Sequence, residues 1–397
     1  MDPLATSPPP DGESSGAARS RAALVLGGGA LTGGAYGVGA LRAFDMLSAG
    51  RTVNDFDVYI GTSSGSFLAA LAANGVRSHD MLRVLLANGP SAFPPLGPGT
   101  LLPPDLPALV RSGLSLPKRV LGGAWRVGAT RDRGALIDAL LGVLPAGVCT
   151  TRGIESYVRA VLTTPPRTDD FRALEPDLFI AATDLDSCER VILGEPGWED
   201  VPISRAVSAS TALPVLYSPV RVGDRELVDG GVSSTTNLDL AVAHGAMLVV
   251  VVNPLAPYRN VSGGNGGAVR RISDLGFSQI AYQSFKLLAH QRLHDMQRLW
   301  EERYPGVDIV LIEPAGDDEL MFEISPISYS ARAEIAWHGF RSVAAALAGD
   351  DEEPIDTFAR HGVSLEVEGV HEAIARASGG DGAWREVLDE ASAAPIS

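Results

Sequence analysis

Three short stretches carry residue types and spacings suited to acyl transfer. The first is "GTSSG", with Ser63 between Gly61 and Gly65. Placed between a strand and a helix, this G-x-S-x-G pattern makes a tight turn that pushes the serine hydroxyl clear of the backbone. Glycines at 61 and 65 remove side-chain bulk, so strand and helix can close on one another. The helix that follows aims its first N–H groups at the place where negative charge would develop.

The second stretch is "LVLGGGALTGG", residues 24 to 34. An apolar run entering a glycine turn can cradle a phosphate or present N–H groups to an oxyanion. The phosphate alternative fits poorly. G-x-G-x-x-G starting at Gly27 requires glycine at 32 and finds Thr32, and no G-x-x-x-x-G-K-[ST] occurs. The third stretch is "VDGG", in which Asp229 ends an apolar run before Gly230 and Gly231. Asp-Gly is a common turn pair, so a plain turn is one explanation. However, Gly223-Asp224 already reverses the hairpin "VRVGDRELV", which frees Asp229 to serve as a base.

Seven histidines offer another base: His79, His244, His290, His294, His338, His361 and His371. None falls in an obvious strand-end loop. His290 and His294 have the i, i+4 spacing of a metal pair but lack the glutamate of H-E-x-x-H, so packed or exposed histidines and no metal are expected. Asp184 and Asp186 of "TDLDS" suit local capping or pairing rather than catalysis, and "SASTALP" suits a packed turn shaped by Ser210 and Pro214.

These residues need a scaffold. "AALVL" and "FDVYI" are expected strands, each followed by a glycine turn and a helix. Further strands are expected in "DLFIAATDLDS", "CERVILG", "AMLVVVVNP" and "VDIVLIEP". Helices are expected in "ALIDALLGVL", "GIESYVRAVLT", "PISRAVSASTALP", "LDLAVAHG", about 271 to 303, and "ISYSARAEIAWHGFRSVAAAL". Alternating strands and helices imply an α/β chain with a mainly parallel sheet covered on both faces.

Composition bounds the rest. The 397 residues are 45% hydrophobic and carry a net charge of −16, which excludes a general nucleic-acid binder. Only Cys149 and Cys188 occur, which suits a reducing compartment. No apolar run approaches the ~20 residues of a spanning helix, and the first residues lack the pattern of a secretory signal. The proline- and serine-rich 1–21 stretch is expected to be a disordered lead. Residues 22–348 are expected to form one catalytic domain. It contains a Pro/Gly-rich insertion at about 90–134, in which Arg111, Lys118, Arg119, Arg126, Arg131 and Arg133 face only Asp132 as a counter-charge between 107 and 134. An acidic linker and weakly helical tail are expected over 349–397.

Taken in order, "GGGALTGGAYGVGAL", "GTSSG", "AATDLDS", "SASTALP" and "VDGGV" followed by "AVAHGAMLVVVV" resemble the patatin-like phospholipase family, over roughly residues 22 to 345. The resemblance implies a three-layer α/β/α fold and a cofactor-free Ser–Asp dyad that cleaves fatty acyl esters of lipids. By motif position it places the nucleophile at Ser63 and the base at Asp229. It also places an oxyanion hole at Gly27, Gly28, Gly29, Ala30 and Ser64, and the nucleophile elbow at Gly61 and Gly65. The partner it implies is a lipid substrate met at a membrane surface, with the protein cytoplasmic or peripheral to the membrane. One departure stands out. The family's turn carries Arg or Lys after Gly-Gly-Gly-x, and here Leu31, Thr32 and Gly33 take its place. That departure leaves a second expectation open, a catalytically weak module that binds lipid or a protein partner.

Overall fold

The computed structural model describes residues 20–114, 145–259, 272–316, 318–347, 353–378 and 382–393. The expected helix at 135–144, most of the basic 107–134 stretch and nearly all of the 1–21 lead lie outside these residues.

Eight strands form the central sheet: β1 (Ala22–Leu26), β2 (Val58–Thr62), β3 (Asp177–Asp184), β4 (Arg190–Leu193), β5 (Val220–Val222), β6 (Arg225–Asp229), β7 (Leu248–Val252) and β8 (Asp308–Ile312). Strands β8, β7, β1, β2 and β3 run parallel in that order. β4 and β6 each pair antiparallel with β3, and β5 pairs antiparallel with β6. Every residue of β1, β2 and β7 is buried. Burial on both faces explains why β1 and β7 read as unbroken apolar runs rather than alternating ones.

The alternation is present in the packing instead. Leu24, Leu26, Tyr59, Ile180, Val250 and Val252 face one core, while Val25, Ile60, Phe179, Val249 and Val251 face another. The first core is covered by α1 (Ala30–Leu47), α2 (Ser64–Ala73), α3 (Ser78–Leu86), α4 (Arg152–Leu162), α5 (Ile203–Ser210) and α8 (Arg332–Leu347). The second is covered by α6 (Leu238–Ala243) and by Leu293 of α7 (Phe277–Arg298). This is the expected three-layer α/β/α arrangement. Removing Leu24, Ile60 or Val251 from water contributes about 1.5–3 kcal/mol each.

Helices α1 and α8 touch backbone to backbone. A Cβ on Gly39 would lie 1.8 Å from the Ala336 carbonyl oxygen, and one on Gly339 would lie 2.0 Å from that of Tyr36. Each helix thus offers the other a glycine at the crossing.

The C-terminal stretch is part of the same core. Helices α9 (Glu353–Arg360), α10 (Glu368–Ala377) and α11 (Ala383–Ala393) contribute Phe358, Val370, Ala373, Val387, Leu388 and Ala391 to it. Arg42 of α1 donates from Nε to the Ala391 carbonyl at 2.7 Å. Only a few apolar residues per helix face inward, which is why the sequence shows this region as weakly patterned.

Candidate active site

One detail of strand order builds the site. Strand β3 is paired along a single edge by two strands in succession. β2 uses that edge up to Thr62 opposite Ala181, and β6 begins at the next position, with Asp229 opposite Ala182. β4 occupies the other edge. β2 is parallel to β3 and β6 antiparallel, so the C-terminal ends of β2 and β6 meet head on. Ser63 is the first residue after β2, and Asp229 is the last residue of β6. A separation of 166 residues in the chain is thereby closed by sheet register.

Ser63 sits in a strained turn, with φ 55° and ψ −127°. A non-glycine residue there costs about 1–3 kcal/mol and persists only where its surroundings hold it. Its N–H donates to Ser210 Oγ at 2.9 Å, and Ser210 Oγ in turn donates to the Ala181 carbonyl at 2.6 Å. Its carbonyl accepts from Ser66 N at 2.9 Å and Ser66 Oγ at 2.6 Å. The flanking glycines are required by contact. A Cβ on Gly61 would lie 2.4 Å from Ser66 Cα, and one on Gly65 would lie 2.0 Å from the Leu26 carbonyl oxygen.

The glycine turn after β1 packs directly on the serine. A Cβ on Gly28 would lie 2.7 Å from Ser63 Cβ and 3.4 Å from Ser63 Oγ. Gly29 and Ala30 both have positive φ, 156° and 54°. The N–H groups of Gly28, Gly29, Ala30 and Ser64 have no hydrogen-bond acceptor among the described residues. Gly27 differs, and the expectation for it is corrected here. Its N–H donates to the Val252 carbonyl at 2.9 Å, continuing the β1–β7 ladder, so it has no amide hydrogen left for an oxyanion. Thr32 directs its hydroxyl back to the Gly29 carbonyl at 3.2 Å and its N–H to Pro326 O at 3.2 Å.

Asp229 is 2% exposed. Its N–H donates to the Ala212 carbonyl at 3.0 Å, and its Oδ1 accepts from Gly231 N at 2.8 Å. Oδ2 is buried without a hydrogen-bond partner. Burial raises its pKa from 3.8 to about 6, opposed by the neighbouring Ser63 hydroxyl and by the Gly231 N–H. The serine is thus near enough to bias the carboxylate, although Oδ2 makes no formed hydrogen bond in this resting geometry. Such contacts commonly tighten only when substrate binds. Helix α7 covers this side, with Phe285 Cζ 3.4 Å from where a Cβ on Gly231 would stand.

In front of Ser63 lies an apolar cleft of about 910 Å³, including the open space at its mouth. Leu31, Val38, Phe67, Leu68, Leu213 and Leu216 are among its walls. A second apolar hollow of about 410 Å³ shares Val38, Phe67, Leu68, Leu85 and Leu96 with it and runs on toward Met81 and Val161. No histidine lines either space among the described residues. His79, His244, His294, His338 and His361 are paired instead with Asp80, Glu195, Glu313, Asp318 and Asp308.

Residues 24–242, more than half of the chain, match the family model described as patatin-like phospholipase. The chain belongs to the patatin-like phospholipase family. The match stops short of β7, although the sheet continues to Ile312. A probable lipid hydrolase, 463L of Invertebrate iridescent virus 6, is 21% identical over 221 residues, which cover 56% of this chain and 63% of the viral protein. The alignment therefore spans less than two thirds of that relative. Among solved structures, VipD from Legionella pneumophila is 15% identical, with 91% of this chain and 74% of that one covered and a TM-score of 0.33. The type III effector protein ExoU is 16% identical, with 94% and 61% covered and a TM-score of 0.33.

The other residues singled out in the sequence are also placed. Asp184 accepts from Asp186 N at 3.0 Å and pairs with Arg225 at 3.1 Å, the local role expected of it. Ser210 braces Ser63 as described, whereas Pro214 is exposed and takes no part in the cleft wall. Phe285 and Asn237, which donates to Thr62 Oγ1 at 3.0 Å, carry no motif and are found only through the fold.

Proposed function

We propose that this protein is a serine acyl hydrolase acting on fatty acyl esters of lipids, with Ser63 as nucleophile and Asp229 as base. The observation that carries this is the head-on meeting of β2 and β6. It sets a strained serine beside a buried carboxylate with one unpartnered oxygen, at the mouth of an apolar cleft. The cleft and the hollow behind it suit an aliphatic chain. The family and the viral relative support the lipid as substrate.

In this mechanism the ester carbonyl carbon approaches Ser63 Oγ while its alkyl chain lies along Val38, Phe67 and Leu68. Asp229 takes the Ser63 proton as Oγ attacks. The carbonyl oxygen becomes an oxyanion and is held by N–H groups of Gly28, Gly29, Ala30 and Ser64. Collapse expels the alcohol, which leaves with the proton, and an acyl-Ser63 ester remains. Water then attacks the ester with Asp229 again accepting a proton, and collapse returns that proton to Ser63 Oγ as the fatty acid leaves. The missing basic residue in the turn removes a side-chain cation only. The donors above are backbone groups that Leu31 and Thr32 do not alter.

An ordinary carboxyl, near 3.9, would be a weak base. Burial brings Asp229 to about 6, closer to working pH. Its charged form is the active one, so kcat/KM is expected to fall about tenfold per pH unit below 6 and to level off above it. A pH–rate profile with a soluble short-chain ester checks this, and a profile still flat at pH 4.5 would contradict it.

A fluorophosphonate probe tests the nucleophile. It is expected to label Ser63 stoichiometrically in the native chain and not after denaturation. Absence of a Ser63 adduct together with absence of esterase turnover would favour the binding-module alternative.

A further inference from the structure

Helix α7 carries a second set of chemical groups away from Ser63. His290 and His294, one turn apart, meet Glu313, the residue that follows β8. His294 Nε2 lies 3.0 Å from Glu313 Oε2, and His290 Nδ1 lies 3.9 Å from Glu313 Oε1. The two imidazole rings are 4.0 Å apart, and all three ligand atoms fall within 4.8 Å of one another. Tetrahedral coordination at ~2.0–2.1 Å puts ligand atoms about 3.3 Å apart, so small side-chain rotations would bring these three onto one ion. His290 Nδ1 is buried and has no hydrogen-bond partner.

We propose that His290 Nδ1, His294 Nε2 and the Glu313 carboxylate bind one divalent ion of the zinc class and clamp α7 onto the C-terminal edge of the sheet. Two imidazoles and a carboxylate form a donor set that zinc accepts, leaving one position for water. Glu313 is already oriented from behind. Asn253 Nδ2, fully buried, donates to Glu313 Oε1 at 2.6 Å, the kind of outer hydrogen bond that fixes a metal ligand. A solvent-connected depression lined by His294, Glu313, Asp318 and His338 provides an entry path.

The position gives the clamp a consequence. Gly27, Asn253 and Glu313 are successive strand-end residues, joined by Gly27 N–Val252 O and Asn253 N–Ile312 O bonds, each 2.9 Å. Glu313 is therefore two strands from the glycine turn, on the order of 10 Å. The same helix places Phe285 beside Gly231 and donates from Arg292 Nη1 to the Ser233 carbonyl at 2.8 Å. Holding His290 and His294 holds the cover over Asp229.

The test uses the full chain without an affinity tag, freed of metal by a chelator. Cobalt(II) titration is followed by visible absorption and then displaced by zinc. One equivalent should bind, with the intense absorption of four-coordinate cobalt. His290→Ala/His294→Ala should weaken binding at least ~100-fold, and Asn253→Ala should weaken it ~10–100-fold. Glu313→Gln keeps shape and volume, and is the deciding variant should the histidine pair fail to fold. It should bind at least ~10-fold more weakly with an unchanged circular dichroism spectrum. Ser63→Ala should bind as wild type, so the outcome is independent of the catalytic assignment. No binding to wild type at 100-µM-order metal, or zinc bound equally well by folded Glu313→Gln or by the histidine pair variant, would overturn the proposal.

Discussion

Ser63→Ala and Asp229→Asn are each expected to lower kcat/KM by ~10,000-fold or more, and the double variant to be no worse than the poorer single one. The magnitude corresponds to about 5.5 kcal/mol of lost transition-state stabilisation. Non-additivity follows because the two groups act on one proton. Once the hydroxyl is gone, the carboxylate has nothing to deprotonate; once the carboxylate is gone, the hydroxyl attacks as an unactivated alcohol. Both replacements preserve the fold for stated reasons. Asparagine retains a side-chain oxygen to accept the 2.8 Å bond from Gly231 N. Alanine at 63 retains the backbone N–H and carbonyl that Ser210 and Ser66 engage. Single and double variants assayed on one ester, with thermal melts alongside, provide the check. Additive losses, or an Asp229→Asn enzyme retaining a tenth of wild-type turnover, would remove Asp229 from the proposed role.

The sequence shows much of this architecture because the parallel strands are buried on both faces. β1 and β7 are short unbroken apolar runs, and the glycines after β1 and around the end of β2 mark close approaches. Ser63 and Asp229 are visible for the same reason, since each lies between a strand end and a glycine. Their meeting is not visible. It depends on β2 and β6 sharing one edge of β3, a property of register that no local pattern encodes. The Gly27 amide is misjudged at the sequence level for a related reason. The ladder to β7 continues one residue past β1, and the neighbouring strand begins more than 200 residues later. The His290–His294 pair has the opposite history. Its spacing is plain in the sequence, but Glu313 arrives from a strand end rather than from an H-E-x-x-H helix. The C-terminal helices are faint because each buries only a few apolar residues in the core.

The second large effect is expected from a single methyl group. Gly28→Ala should lower kcat by ~100- to 1,000-fold while leaving the folded state largely intact. The new Cβ would stand 2.7 Å from Ser63 Cβ, closer than carbon atoms tolerate, and 3.4 Å from Oγ. Ser63 Cβ is the root of its side chain and cannot swing aside by rotation. Either the turn or the serine must move by several tenths of an ångström. Moving the serine misaligns attack, and moving the turn withdraws the Gly28 and Gly29 donors; a displacement of that order or a lost donor costs ~100-fold or more. Gly39→Ala is the matched comparison. Its Cβ would meet the Ala336 carbonyl oxygen at 1.8 Å, between α1 and α8 and away from the cleft wall, so it should lower stability by about 1–3 kcal/mol and change kcat far less. Measuring kcat, fluorophosphonate labelling rate and urea midpoint on both variants separates the two effects. Should Gly28→Ala label and turn over like wild type, the glycine turn would not be part of the catalytic geometry. The oxyanion would then have to be held from α2 alone, through Ser64.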